Sequence, residues 1–179
     1  MSTPKAPPFY QDPQFFRLQT YGLLAVVALL LVALFVPMMS FLTDAGLRLT
    51  VHNSRIELLG PVPTELAAAL LGENWIQQLL QVLTAFCVGA SAASLFRYRN
   101  LTMLLTNTGV VMFALVALLA VRVYAVYRYG EIIRTVDAEP DLSMGLGYYL
   151  PLIAAVLLYG VRRQIRKDQA TLKSAERFY

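Results

Sequence analysis

Charged residues are missing from four stretches of the chain, and Leu, Val, Ala, Phe and Ile dominate each one. The stretches run from Arg17 to Asp44, Glu73 to Arg97, Arg99 to Arg122 and Asp141 to Arg162, with 26, 23, 22 and 20 uncharged residues between the flanking charges. A helix rising 1.5 Å per residue needs about 20 apolar residues to cross the hydrocarbon of a bilayer. The pattern predicts four spans, at about 20–43, 75–96, 101–127 and 143–162. A cleaved signal peptide is the competing reading of the first stretch, but an apolar signal core runs only about 7–15 residues. Here the run continues past Phe35 through Pro37 to Leu42, and no A-x-A cleavage pattern follows. Proline near the end of a span is tolerable where neighbouring helices satisfy the freed carbonyl.

The polar positions organise what lies between. Leu47-Arg48-Leu49-Thr50-Val51 and Arg55-Ile56-Glu57-Leu58 alternate apolar and polar around the turn-forming His52-Asn53-Ser54, which predicts a β-hairpin. A lone hairpin is marginal in water, so it should rest on the helices or on a partner. Gly60-Pro61-Val62-Pro63 ends it, and a short helix is expected from Thr64, as N-cap, to Leu71. The expected fold class is therefore an all-α membrane protein: a four-transmembrane-helix bundle with a small β-hairpin in the first outer loop, 44–74. A proline-rich tail, 1–19, precedes the transmembrane domain, 20–163, and a basic, helical tail, 164–179, follows it.

Composition agrees with this class. The chain has 179 residues, 58% hydrophobic and only 15% charged, against about 25% charged in soluble domains. That excludes a disordered chain, a nucleic-acid-binding basic domain and an ordinary soluble enzyme. The net charge of +4 conceals a division. The termini and the Arg97-Tyr98-Arg99 turn hold ten basic and three acidic residues; the two longer loops hold four arginines and eight acids. By the positive-inside rule both termini should be cytoplasmic and both longer loops should face outward. Arg122 lies near a span end, where its long stem can carry the guanidinium to the interface.

Several side chains have expected roles. Gly89/Ala93 and Ala90/Ser94 are small residues four apart, a spacing that lets helix backbones approach, and Asn107 is a candidate interhelical hydrogen-bonding group. Trp75, Tyr124, Tyr127, Tyr148 and Tyr149 fall at span ends, where aromatic side chains anchor in the interface. Arg97, Arg99, Arg162, Arg163, Arg166 and Lys167 are expected at lipid headgroups or a partner. Gly145 and Gly147 suggest either a flexible or a closely packed entry to the last span, with Pro151 in its first turn.

Reactive chemistry is sparse. One Cys, Cys87, and one His, His52, exclude an internal disulfide and a tetrahedral zinc site, and no span contains an acid for a proton relay. The acidic second loop, with Glu131, Asp137, Glu139 and Asp141, matches no calcium-loop spacing. No catalytic residue, cofactor or metal is expected, and His52 reads as an exposed turn residue.

Tyr149-Leu150-Pro151-Leu152-Ile153-Ala154, followed by Ile165-Arg166-Lys167-Asp168 and Leu172-Lys173-Ser174-Ala175-Glu176-Arg177, resembles an uncharacterised family of small four-span inner-membrane proteins of Bacteroidota-type bacteria. The resemblance covers about 17–178 in topology and is specific over 149–177. It departs in the longer proline-rich start and in Gln169, where an acid often stands. It implies fold and location but supplies no activity. The expected role is a non-enzymatic accessory or assembly subunit of a larger inner-membrane complex, in contact with lipids and other membrane subunits and with no nucleic acid. The alternative is a small oligomeric transporter or channel, using Asn107 with Thr106 and Thr108, and Gln77, Gln78 and Gln81.

Overall fold

Proline decides where the first helix stops. The computed structural model describes residues 13–96 and 100–176. In it α1, Pro13–Phe35, ends just before Pro37. Proline disfavours helical geometry in the residue before it and has no N–H to continue the ladder. The chain turns extended and forms β1, Met39–Leu42, then β2, Arg48–Val51, and β3, Ile56–Leu59. A short helix α2, Thr64–Gly72, leads into α3, Asn74–Phe96, and α4, Leu101–Arg134. β4, Asp141–Met144, then precedes α5, Leu146–Glu176.

This corrects the four-span bundle. The described chain has five helices, and two of them, α3 and α4, are long and apolar enough to cross a membrane. The first and last charge-free stretches contain strands as well as helix. The apolar part of α1 is Gln19–Phe35, about 25 Å at the helical rise, and α5 starts only at Leu146. Absence of charge carries no information on period, so the residues of β1 and most of β4 fall inside the charge-free stretches. α4 continues as helix beyond the expected third span, from 127 to Arg134.

The expected hairpin is present as β2 and β3, with Val51 opposite Ile56 and Arg48 opposite Leu59. It is half of a larger unit, a four-stranded antiparallel sheet in the order β3-β2-β1-β4. Met39 is flanked by Val51 on β2 and Met144 on β4. Met39, Phe41, Leu49 and Val51 are buried on it. Thr64 is not the cap of α2: Pro63 occupies that position, with no side-chain cap bond. Residues 1–12 of the N-terminal tail and Arg97, Tyr98 and Arg99 lie outside the described residues.

The four longer helices contact one another in a closed order, α1 to α3, α3 to α4, α4 to α5 and α5 to α1. Each buries a narrow seam spaced alternately three and four residues apart, the spacing of helices packed at shallow angles. The seam is Gln19, Leu23, Val26, Leu30 and Ala33 on α1, and Leu104, Thr108, Val111, Leu115, Leu118, Arg122, Ala125 and Tyr129 on α4. On α3 it is Gln77, Leu80, Thr84, Cys87, Ser91 and Ser94; on α5, Ala154, Leu158, Val161, Ile165 and Asp168. Many large apolar side chains lie off the seams and point outward, among them Val82, Phe86, Val110, Phe113, Val116 and Val123.

Glycines lock the last helix to the first. Gly145 N–H donates to the Met38 carbonyl at 2.9 Å and Gly147 N–H to the Pro37 carbonyl at 3.0 Å. A Cβ on Gly147 would stand 2.5 Å from the Val36 carbonyl oxygen and 2.7 Å from that of Pro37. Close packing, rather than flexibility, explains this pair. Gly147→Ala should destabilise the fold by about 1–3 kcal/mol, an overpacking cost. Gly160→Ala, where an added methyl meets nothing within 4 Å, should be neutral or raise the melting temperature, because alanine is the better helix former. Thermal unfolding in detergent compares the two.

Candidate functional site: a buried arginine junction

Proline inside a helix frees one carbonyl. Pro151 of α5 has no N–H, so the carbonyl four residues earlier, on Gly147, loses its helical donor. Arg122 of α4 supplies the replacement. Its Nη1 donates to the Gly147 oxygen and lies 3.5 Å from the Tyr148 oxygen, and its Nη2 donates to Asn53 Oδ1 at 2.8 Å. Arg122 is fully buried, and its Nε has no hydrogen-bond partner. No described carboxylate forms an ion pair with it. Carbonyl and amide oxygens accept its hydrogen bonds.

The β2–β3 turn reaches down to meet it. Asn53 is fully buried and donates through Nδ2 to Thr84 Oγ1 at 3.1 Å; that hydroxyl donates on to the Leu80 carbonyl at 2.7 Å. The Gln77 amide nitrogen donates to the His52 and Asn53 carbonyls at 2.9 and 3.1 Å, which leaves its oxygen toward the Tyr129 hydroxyl, 3.4 Å away. Gln81 Nε2 donates to the Ser54 carbonyl at 2.9 Å. His52 Nδ1 lies 3.3 Å from the Phe35 carbonyl, at the end of α1. A carbonyl only accepts, so the proton sits on Nδ1, and the imidazole satisfies a backbone group that a helix C-terminus leaves open. One turn thus ties α1, α3, α4 and α5 together.

Two of the expectations above change here. His52 is buried, not exposed, because the turn is inserted among helix ends. Arg122 does not extend to the interface; it points inward along the α4 seam. The signals were present: Arg122 continues the three-four spacing from Leu104, and Pro151 announces an orphaned carbonyl. Neither names its partner, which lies far away in sequence.

The other expected residues are placed as follows. Within the chain the packing face of α3 is Thr84, Cys87, Ser91 and Ser94, with Ala90 half-buried. Gly89 and Ala93 are exposed, since helical rotation sets 89 and 93 away from 87 and 91. Asn107 is half-buried and has a polar partner. The hydroxyls of Thr106 and Thr108 donate back to their own helix, to Thr102 and Leu104 carbonyls at 3.1 and 2.9 Å. Trp75 and Tyr124 are exposed with ring centres 5.8 Å apart; Tyr127 and Tyr149 are exposed, and Tyr148 is half-buried against Tyr149. Arg163, Arg166 and Lys167 are exposed, and Arg162 is half-buried.

Two further polar groups fasten helices. Arg128 of α4 pairs with Glu73 and, at 2.8 Å, with Glu131. At the opposite end, Gln19 of α1 donates to Asp168 of α5. Burial raises the Asp168 carboxyl above its ordinary range, and the Gln19 hydrogen bond opposes that shift. Among the described residues no three His, Cys, Asp or Glu side chains are placed to hold a metal ion.

The family model for a domain of unknown function (DUF4293) matches residues 15–178. The chain belongs to this family. No curated protein matches it. The matched region of this DUF4293 member spans every element of the junction, from α1 to α5.

Replacing Arg122 by Met leaves the Gly147 and Asn53 acceptors buried and unpaired, at about 1–3 kcal/mol each. Pro151→Ala restores an N–H to the Gly147 carbonyl. It should therefore be more favourable in the Arg122→Met background than in the unaltered chain, by at least about 0.5 kcal/mol in a double-mutant cycle. Additive unfolding free energies would break the link between these two residues.

Proposed function

We propose that the chain is a non-enzymatic integral membrane protein, an accessory or assembly subunit of a larger complex in a bacterial inner membrane. In this reading α3 and α4 cross the bilayer as an antiparallel pair. The sheet lies on the outer side, and the basic end of α5, with both termini, lies on the cytoplasmic side.

One observation supports the membrane reading: the two long apolar helices turn large apolar side chains outward while several polar side chains lie inside. Fully buried positions include Thr84, Ser91, Ser94, Thr108 and Arg122, while Phe86, Val110, Phe113, Val116 and Val123 of the two long apolar helices are exposed. In water such a surface would associate; in lipid it is already in its preferred solvent, and Arg122, bonded from α4 to α5 and to the β2–β3 turn, serves as a polar attachment. Trp75 and Tyr124, in contact at the sheet end of α3 and α4, suit an interfacial position.

The subunit role rests on how the polar groups are used. Arg122, Asn53, Gln77 and His52 are all engaged in holding the sheet on the helices. What they produce is a rigid sheet whose outer strands, β3 and β4, each have one edge unpaired by the described strands. An edge of this kind is a ready template for another chain.

Topology is tested by replacing Cys87 with Ser and introducing a single cysteine at Ser54 or Ser174. A membrane-impermeant reagent should label the Ser54→Cys variant in intact spheroplasts and the Ser174→Cys variant only after lysis. The opposite pattern would invert the orientation. The subunit role is tested by native mass measurement after gentle detergent extraction. Its expected outcome is a defined assembly containing other membrane subunits, and a chain that always emerges as a lone monomer overturns it.

A further inference from the structure

Arg162 of α5 lies where a charge has little reason to be. Its guanidinium rests against Gly109, near the middle of the apolar part of α4. A Cβ on Gly109 would stand 3.1 Å from Nη2 and 3.4 Å from both Cζ and Nη1. These near-equal distances mean that the guanidinium lies over the bare backbone of Gly109, where any added side chain would have to push it aside. Its Nε is buried without a hydrogen-bond partner, and no described carboxylate forms an ion pair with Arg162.

The surroundings form an open groove of about 540 Å³, lined by Leu105, Thr106, Gly109, Val110, Phe113 and Arg162. Phe113 and Val110 are exposed along it. The two helices run antiparallel in step, since Gln169 of α5 meets Thr102 of α4, seven residues from Arg162 and Gly109 respectively. Arg166 therefore follows one turn beyond Arg162 on the same side of α5, toward the basic end, and is also without an ion pair among the described residues. The groove thus carries Arg162 in its lining, with Arg166 one turn beyond it, and an apolar floor along Val110 and Phe113.

We propose that this groove binds one anionic phospholipid, with its phosphate on the Arg162 guanidinium and an acyl chain along Val110 and Phe113. A planar guanidinium offers paired N–H donors that fit phosphate oxygens, and an apolar environment strengthens that pairing. Arg166 adds a second positive charge that favours a net-negative lipid over a zwitterionic one. Gly109 is the positioning residue, because its missing side chain sets where the guanidinium lies. The inference rests on the membrane reading above and identifies which lipid class one surface selects.

The test reconstitutes the full chain into phosphatidylcholine vesicles with or without phosphatidylglycerol, followed by native mass spectrometry of the extracted protein. One phosphatidylglycerol per chain should be retained, with about fivefold preference over phosphatidylcholine per basic residue engaged. Arg162→Gln should remove that residue's share, and Gly109→Val should weaken binding with every charge intact. Arg163→Gln, at an exposed arginine outside the groove lining, should leave retention unchanged. Melting temperatures of the variants separate loss of lipid from loss of fold. Equal retention by Arg162→Gln and the unaltered chain, or equal losses from Arg162→Gln and Arg163→Gln, overturns the site. Insertion into both vesicle types without lipid preference overturns the site but leaves the membrane reading standing. Failure to insert into either overturns both.

Discussion

The hydrogen bond from Arg122 to the Gly147 carbonyl is the constraint on which the other parts depend. Pro151 creates the need for it by removing the donor that would occupy that carbonyl inside α5. The guanidinium that answers the need is fully buried, so its remaining donors also require acceptors. Asn53 provides one, and bringing Asn53 that deep requires the β2–β3 turn to descend among the helix ends. The turn then presents its backbone carbonyls to Gln77 and Gln81, and His52 to the end of α1. A single missing N–H thus propagates into the position of the sheet.

The same organisation places polar groups within one continuous apolar core that runs through the helices and the sheet. Each long helix buries a narrow seam in which hydroxyls, amides and charges are interspersed among apolar side chains. On the proposed membrane reading, burial of apolar surface would add little between helices whose outer faces are also apolar. Polar pairs, and glycines that allow backbone contact, take that place. Gly145 and Gly147 let α5 approach the link after α1, and Gly109 lets Arg162 lie against α4. The polar groups are therefore committed to architecture at one end, while the exposed basic residues of α5 stay open at the other.

Parts of this were legible in the residues alone. The β2–β3 hairpin follows from alternation around His52-Asn53-Ser54, and α3 and α4 follow from long charge-free runs with no proline inside them. β1 is hidden within an apolar stretch with little polar alternation, while β4, Asp141-Leu142-Ser143-Met144, alternates but is only four residues long. Pro37 was the available signal for the end of α1. It was outweighed by hydrophobicity, which measures solvent preference and is silent on backbone geometry.

The sequence by itself determined the two apolar helices, the hairpin, the separation of basic from acidic segments and the membership of the C-terminal pattern in an uncharacterised family. These depend on local spacing and on each residue's own solvent preference, which a linear chain carries in full. Only the tertiary structure decided that four strands form one sheet, that His52 and Asn53 are buried, and that Arg122 bonds to a carbonyl 25 residues away. Those outcomes depend on which unsatisfied groups meet across the fold. Pairing of that kind is a property of three-dimensional proximity, and neither partner's neighbours in sequence encode it.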